Sequence, residues 1–330
     1  MSTPALAART KRKDHLGAAL LVPQSGQYAA LGRSMERAAA LAQGANDDGK
    51  RHDGAMRVYD TGDTPEGAAS AARAARKAGA SIIFGPVFAH EVPAVLGALG
   101  GDVPVVTFSN DAALIEGGAF LLGITARQPV VAILGYAASR GIRRIAVAGS
   151  GQGWGMQARS AVSTLATGAG LIVTQLQVNG VPVSGDALPD AVLATDAATL
   201  ATMTPQLVSQ GIQTLGAFQG MDLTPDMLAR LDGAWIAGPD PVGFAGFARA
   251  YEQRNGSAPG TIAALAYDAA GIAVQLMRGG GTDRSALLAG SGFRGVCGNV
   301  RFHEDGSAAR TLAILQVTQG QLRTVATWPG

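Results

Sequence analysis

Two glycine-rich segments of the sequence contain residue types that hold phosphate groups. Residues 44–50 (Gly-Ala-Asn-Asp-Asp-Gly-Lys) match most of a P-loop, but Arg51 stands where a magnesium-binding Ser or Thr belongs, and the two aspartates would repel phosphate. Residues 149–155 (Gly-Ser-Gly-Gln-Gly-Trp-Gly) have dinucleotide-loop spacing, but Trp154 replaces the third glycine. We predict a turn after a helix at the first segment. A Rossmann-like nucleotide-binding enzyme remains an alternative reading of the second.

The other reactive side chains form no catalytic or metal-binding pattern in the sequence. The single cysteine, Cys297, lies between Val and Gly, and we predict a small buried residue rather than a nucleophile. The sequence has no Gly-x-Ser-x-Gly segment. The four histidines lie far apart and follow none of the zinc-site spacings: His15, His52, His90 and His303. We therefore predict a protein that is not an enzyme and uses no cofactor and no metal.

Composition and charge narrow the class of protein further. The 330 residues are 47% hydrophobic and 15% charged, which is typical of a globular protein. The net charge is +2, but four basic residues and one acid give the first fifteen residues +3, so the remainder carries −1. A body without basic excess argues against nucleic-acid binding. No apolar run reaches the ~20 residues of a membrane helix, and residues 16–22 are too short for a signal peptide, so we expect no membrane span and no export signal in this sequence.

Apolar periodicity predicts an alternation of strands and helices along most of the chain. Strands are predicted at 16–22, 56–59, 81–84, 103–107, 144–148, 171–176, 191–195, 214–218 and 234–237. Helices are predicted at 33–46, 65–78, 91–99, 129–140, 156–167, 197–210, 225–231, 243–254 and 261–278. This order predicts two α/β units, each with a parallel sheet between helices.

The two ends of the chain depart from this alternation. Residues 1–14 are polar, basic and without periodicity, and we expect a disordered tail there. Near the C-terminus, three short β segments are separated by turn residues, which predicts an antiparallel end piece. They lie at 299–303, 311–317 and 321–327.

Several short segments, taken in order, resemble type 1 periplasmic binding proteins. Residues 23–32 (Pro-Gln-Ser-Gly-Gln-Tyr-Ala-Ala-Leu-Gly) are similar to the family's opening, P-L-S-G-x-Y-x-x-x-G. Further segments that fit are 60–61, 65–66, 85–88, 103–107, 266–269 and the ending at 293–302 (Phe-Arg-Gly-Val-Cys-Gly-Asn-Val-Arg-Phe). The resemblance covers about residues 16–330. Within the family the chain is similar to leucine-type receptors of transporters, and even more to the related domain of penicillin-binding-protein activators.

The resemblance implies a particular fold: an α/β protein of two Rossmann-like lobes with parallel sheets, joined by three hinge crossings. The crossings would fall near residues 125, 242 and 308. Lobe 1 would comprise residues 15–125 and 243–308, and lobe 2 residues 126–242 and 309–330. A ligand would bind in the cleft between the lobes.

The resemblance also implies where lobe 1 contacts the ligand. Tyr28 matches the aromatic residue of the first loop. Phe88, Ala89 and His90 belong to the loop in which leucine-type receptors usually place a serine. The remaining candidates of this lobe follow the fourth predicted strand or end it: Thr107, Ser109 and Asn110. Of these, Ser109 and Asn110 match the loop that binds an amino-acid carboxylate.

In lobe 2 the resemblance implies three further ligand-binding residues. Trp154 stands where the family has a tyrosine before glycine. Gln219 precedes a Gly-Met-Asp segment at residues 220–222, which matches a Gly-x-Glu of the family. Asp222 would therefore pair with a ligand ammonium group.

These matches imply a periplasmic solute-binding protein that binds a small polar or amino-acid-like ligand for an ABC transporter, with an ABC permease as partner. Ala89 and His90 depart from the serine of leucine-type receptors, which leaves a second interpretation open. The chain would then resemble an activator domain that regulates cell-wall synthesis by contacting a cell-wall synthase, with a vestigial cleft. Either interpretation implies a periplasmic location.

If the ligand is an amino acid, Asp222→Asn tests the predicted ammonium contact. Removing one partner of a buried charged pair costs about 3–5 kcal/mol. Since about 1.4 kcal/mol corresponds to a tenfold change in affinity, we expect Kd to rise by roughly two orders of magnitude or more. Isothermal titration with an amino acid that binds the parent measures this change. An unchanged Kd would rule out the assignment.

Overall fold

Two mainly parallel β-sheets, each packed between helices, organise the chain as the predicted alternation requires. The computed structural model describes residues 17–44, 56–149, 151–174, 188–219 and 223–329. The predictions for residues 1–14, for most of the segment 44–50 and for Asp222 therefore lie outside the described residues.

The first sheet has the strand order β2-β1-β3-β4-β5, and its strands are parallel. They are β1 (Gly17–Val22), β2 (Arg57–Asp60), β3 (Ala80–Phe84), β4 (Val105–Thr107) and β5 (Phe120–Leu121). The second sheet has the order β11-β12-β10-β9-β8-β6-β7, and β13 also pairs with β12. Its strands are β6 (Arg144–Ala148), β7 (Ile172–Thr174), β8 (Ala191–Ala194), β9 (Gln213–Gly216), β10 (Trp235–Gly238), β11 (Val300–Phe302), β12 (Ala308–Thr318) and β13 (Gln321–Pro329).

Helices connect these strands and cover the sheets. They are α1 (Ala29–Ala42), α2 (Pro65–Lys77), α3 (Val92–Leu99), α4 (Arg127–Ser139), α5 (Gly153–Leu165), α6 (Ala197–Ser209), α7 (Pro225–Arg230), α8 (Pro241–Asn255), α9 (Thr261–Gly279) and α10 (Arg284–Leu287). Short 3-10 turns lie at Ala89–Glu91 and Ala112–Gly117. The helix α1 begins at Ala29, four residues before its predicted start at residue 33, and Gly32 lies in its first turn.

Alternate residues of β1 face two different apolar layers of the first lobe. Leu20 packs in a cluster that includes Met35 of α1 and Ala266 of α9. Leu21 packs on the opposite face in a cluster that includes Ala72 of α2 and Val95 of α3. Because helices bury both faces, this parallel strand has a continuous apolar sequence instead of an alternating one.

The second lobe repeats this arrangement. On β6, Ile145 packs in a cluster that includes Val130 of α4 and Val162 of α5. Its neighbour Ala146 faces the other side of the sheet, in a cluster that includes Leu207 of α6. Each lobe therefore has its own layered α/β core.

A long C-terminal strand belongs to both lobes. Ala308 to Arg310 of β12 pair with β11, whose Phe302 is buried in the apolar cluster of the first lobe. Further along, Ala313 to Gln316 pair with β10 in the second sheet. The predicted antiparallel end piece is present, but β12 begins at Ala308 rather than at residue 311 and connects the lobes. The chain also passes between the sheets from β5 to α4 and from β10 to α8.

Arg310 of β12 is fully buried where β12 lies beside the passage from β5 to α4. Its guanidinium donates from Nη1 to the Cys297 carbonyl (3.1 Å) and from Nη2 to the Leu122 carbonyl (2.5 Å). The buried Asp268 of α9 accepts from the backbone N–H groups of Val296 (2.7 Å) and Cys297 (3.0 Å) and provides the opposite charge. Burial raises the pKa of the Asp268 carboxyl to about 6, although Arg310 and these N–H groups favour the charged form.

Cys297, at the centre of this cluster, is fully buried, as its apolar neighbours in the sequence predict. Burial raises the pKa of its thiol well above the usual value, and the nearby Asp268 carboxylate adds to the effect. A thiol that stays protonated is a poor nucleophile.

Gln128 of α4 connects the passage from β5 to α4 with the start of β12, on the side of the second lobe. It is buried near the start of α4, and its side-chain amide donates to the Ala308 carbonyl (2.6 Å) and accepts from the Thr125 N–H (3.3 Å). We propose that the lobes divide the chain into 15–125 with 243–308 and 126–242 with 309–330. The separate sheets of β1–β5 and β6–β10 support this division. Although β11 pairs with β12, its Phe302 is buried in the apolar cluster of the first lobe.

Arg310→Met tests how much the buried charge cluster stabilises the fold. The variant leaves the Cys297 and Leu122 carbonyls without their donor and removes the positive charge near Asp268. Each buried polar group that loses its partner costs about 1–3 kcal/mol of unfolding free energy, so we expect a clear loss of stability at pH 8. The folded-state pKa of Asp268 should then rise further above the ordinary value of 3.8, so the folded state binds a proton more tightly. The stability deficit should therefore shrink as the pH falls from 8 to 5.

Guanidinium denaturation at both pH values measures this free energy. The exposed pair Arg76–Asp102 offers a matched control, and Arg76→Met should change stability by at most about 1 kcal/mol. Parent-like stability of Arg310→Met at pH 8 would contradict the role given to the buried guanidinium.

Candidate functional site

The first loop of the site follows β1 and is held by Asp60 at the end of β2. The Asp60 carboxylate accepts from the N–H groups of Gln24 (2.7 Å), Ser25 (3.2 Å) and Gly62 (2.8 Å) and from the Ser25 hydroxyl (2.6 Å). Partial burial opposes the charged form, but these hydrogen bonds prevail and lower the pKa of Asp60. The loop is therefore fixed in a shape that leads directly into α1.

Glycine 32 sets how closely α1 approaches this loop. A Cβ atom on Gly32 would lie 1.8 Å from the Pro23 carbonyl oxygen, so no larger residue fits there. The close contact places Tyr28, immediately before α1, at the edge of the first sheet.

Aromatic rings from two loops meet at this edge. The ring centroid of Tyr28 lies 4.6 Å from that of Phe88, with the planes tilted by 49°. Phe88 also stacks almost parallel on His90, at 5.8 Å. Tyr28 and His90 are exposed, whereas Phe88 and Ala89 are half-buried. The structure thus brings together the first two predicted ligand loops.

Two residues with hydroxyl groups lie at the end of β4 and just after it, and they differ in function. Thr107 is fully buried, and its hydroxyl donates to the Pro86 carbonyl (2.8 Å) and accepts from the Ser109 N–H (3.1 Å). The Ser109 hydroxyl accepts from the Asp111 N–H (3.2 Å), which leaves its own proton available to a ligand. Thr107 therefore positions the loop, and Ser109 can contact a solute.

A cleft of about 590 Å³ opens between these loops, α1, α9 and the loop after β9. Its apolar wall includes Phe88 and Phe108. Its polar side chains are all neutral: Ser34, Ser109, Asn110, Gln219 and Thr261. Among the described residues, no Asp, Glu, Lys or Arg lines it. Ala89 also lines the cleft, whereas Tyr28, His90, Thr107 and Trp154 lie outside its lining.

The first turn of α9 supplies the electrostatic feature of the cleft. Residues 260–263 line it, and Gly260 precedes the helix without a side-chain cap. The first N–H groups of a helix have no partner within it, and its N-terminus carries a partial positive charge. The 19-residue helix therefore favours an anionic group in an otherwise neutral cleft. The apolar periodicity of residues 261–278 predicts this helix but not its direction, which depends on the chain's return to the first lobe.

Trp154 lies at the start of α5 in the second lobe. Its indole N–H donates to the Ala217 carbonyl (3.0 Å), just after β9. The half-buried ring packs against the apolar clusters of both lobes. Its predicted contact with a ligand stays a prediction.

Glu91 is the last residue of the 3-10 turn Ala89–Glu91, which follows Phe88 directly. Its carboxylate accepts from the Phe88 N–H (3.3 Å). It is fully buried, and burial raises its pKa.

Comparison with known proteins agrees with this geometry. Residues 17–321 match the model of a periplasmic binding protein family, and the chain belongs to that family of solute-binding proteins. None of the curated proteins compared with the chain matches it significantly by sequence. Among the described residues, no helix is long and apolar enough to cross a membrane.

Solved structures show the same fold. A candidate branched-chain amino acid ABC transporter protein from Rhodospirillum rubrum has a TM-score of 0.77 at 21% identity, covering 94% of this chain and 99% of that one. A substrate-binding protein from Desulfitobacterium hafniense in complex with Leu has 0.62 at 16% identity, covering 94% and 99%. A solute-binding protein from R. palustris in complex with 4-hydroxybenzoate has 0.62 at 17% identity, covering 95% and 96%.

We predict that solute binding changes the fluorescence of Trp154. A solute in the inter-lobe cleft should alter the packing of the one described tryptophan ring that contacts the clusters of both lobes. Titration with leucine or 4-hydroxybenzoate should shift or quench the emission of the parent, and Trp154→Phe should remove that change. Trp328→Phe is the control, because Trp328 packs beside Tyr136 in the second lobe. A signal that persists in Trp154→Phe would refute the prediction.

Proposed function

We propose that this protein is a periplasmic receptor that delivers a small amino-acid-like carboxylate to an ABC permease. The observation that carries the proposal is the neutral, half-apolar cleft between the lobes, with hydrogen-bond donors on one wall. The family assignment supports solute binding as the general function. The protein would act by binding and release, without catalysis.

The chemistry of the cleft favours a carboxylate with an apolar body. The Ser109 hydroxyl, the Asn110 amide and the first turn of α9 can donate to a carboxylate without a buried cationic side chain. The rings of Phe88 and Phe108 offer an apolar surface for the rest of the solute. Burying the carboxylate among several donors offsets the loss of its hydration.

An ammonium group on the solute would need a further partner. The described lining contains no carboxylate, so an amino acid would rely on Asp222, which the sequence resemblance assigns to this role. An aromatic carboxylate would need no such partner. The leucine and 4-hydroxybenzoate complexes of the structural relatives represent these two solute types.

Isothermal titration with the standard amino acids and with 4-hydroxybenzoate tests the proposal directly. We expect one class to bind at one site per chain. Failure of all of them to bind would reject the receptor function for these solutes. That outcome would favour the activator-like interpretation, in which the cleft is vestigial.

Ser109→Ala tests the carboxylate contact. A hydrogen bond to a charged group contributes about 1.5–3 kcal/mol, so the Kd of the bound solute should rise about tenfold to a hundredfold. Ser70→Ala is a matched control on the exposed surface of α2 and should bind like the parent. Equal affinity of Ser109→Ala and the parent would place the carboxylate elsewhere.

A further inference from the structure

Three side chains that commonly bind metals meet beside the cleft. A nitrogen of His90 and one carboxylate oxygen each of Asp63 and Glu91 lie within 4.8 Å of one another. Asp63 belongs to the turn between β2 and α2, and the other two belong to the 3-10 turn between β3 and α3. Because β2 and β3 flank β1 in parallel, both turns leave the sheet at the same edge.

Glu91 supplies an independent sign that this cluster accepts a ligand. Its side chain is fully buried, yet its Oε1 atom has no hydrogen-bond partner. The buried Thr61 hydroxyl interacts with the Glu91 carboxylate, but the contact lacks the geometry of a well-formed hydrogen bond. An unsatisfied buried carboxylate oxygen is costly, and a cation bound between Glu91, Asp63 and His90 would satisfy it.

The charges at the cluster have the sign that a cation requires. Asp63 and Glu91 can contribute two negative charges, and among the described residues neither forms an ion pair with a lysine or an arginine. His90 is exposed and Asp63 is half-buried, so both side chains have room to adjust around an ion. Glu91 is the buried anchor of the three.

We propose that Asp63, His90 and Glu91 form a binding site for a divalent transition-metal ion, with Zn²⁺ as the best match. One imidazole and two carboxylates are a donor set that Zn²⁺ accepts, whereas Ca²⁺ and Mg²⁺ prefer oxygen ligands alone. Around a tetrahedral Zn²⁺, ligand atoms lie about 3.3 Å apart, so the separations in the cluster must shorten by at most about 1.5 Å. A remaining coordination position would face solvent, because His90 is exposed.

This site adjoins the ligand cleft without depending on the identity of the solute. His90 stacks on Phe88, and Phe88 and Ala89 line the cleft. A bound ion would fix the 3-10 turn that carries Ala89 and His90. Sequence spacing alone does not indicate this site, because its residues come from two turns that only the sheet brings together.

Isothermal titration of the full chain with Zn²⁺, after chelator treatment and without added solute, tests the proposal. We expect one Zn²⁺ per chain at this site, at least tenfold tighter than Mg²⁺ or Ca²⁺. His90→Gln and Glu91→Gln should each weaken Zn²⁺ binding at least tenfold. His303→Gln, which removes a histidine far along the chain at the end of β11, should bind Zn²⁺ like the parent.

Circular dichroism shows whether each variant is folded. Should Glu91→Gln fail to fold, the exposed His90→Gln variant still decides the question. No Zn²⁺ binding by the parent, or equal Zn²⁺ affinity in the parent and His90→Gln, would overturn the proposal. Neither result depends on whether the cleft binds an amino acid.

Discussion

The buried guanidinium of Arg310 fixes the junction on which the two-lobed structure depends. It binds the Leu122 carbonyl at the end of the first lobe's sheet and the Cys297 carbonyl before β11, and its charge favours the ionised form of the nearby Asp268 of α9. A buried charge without such partners would be strongly unfavourable. Two passages between the lobes and the longest described helix are therefore held at one point.

This junction determines what faces the cleft. Because α9 is held through Asp268, its first turn lies against the loops that follow β3 and β4. The carboxyl edges of parallel strands supply those loops, which is where open α/β sheets bind ligands. Loop positions are then set by hydrogen bonds such as Asp60 to Ser25 and Thr107 to Pro86. Rigid elements thus hold the residues that line the cleft.

Much of the fold could be predicted from local sequence. Buried parallel strands such as β1 and β6 have continuous apolar sequences, and their helices show the complementary periodicity. The first helix was misplaced because Gly32 looks like a loop residue. Its glycine is required by a contact with Pro23, which is 9 residues away in sequence but adjacent in space. The sequence predicts too short a β12 because Arg310 interrupts the apolar pattern. Only the tertiary structure reveals that this guanidinium donates hydrogen bonds to two carbonyl groups.

The site is predictable only in part, because it too depends on contacts between residues that are far apart in the sequence. Family resemblance marks Phe88, Ala89, Ser109, Asn110 and Gln219, all of which line the cleft. It also marks Thr107, whose hydroxyl is used by the backbone instead. Neither the direction of α9 nor the grouping of Asp63 with His90 follows from spacing along the chain. Both depend on which strand ends lie side by side in the folded sheet.

If the protein is a receptor of this kind, its lobes should close on a solute held between them. The buried Cys297, whose thiol pKa is raised by burial, should not react with a spin label. Labels at Gln27→Cys and Met156→Cys would therefore report one distance, from the exposed rim of the first lobe to that of the second. Pulsed electron–electron double resonance should show that this distance becomes shorter when leucine or 4-hydroxybenzoate saturates the protein. An identical distance distribution with and without saturating solute would contradict the account.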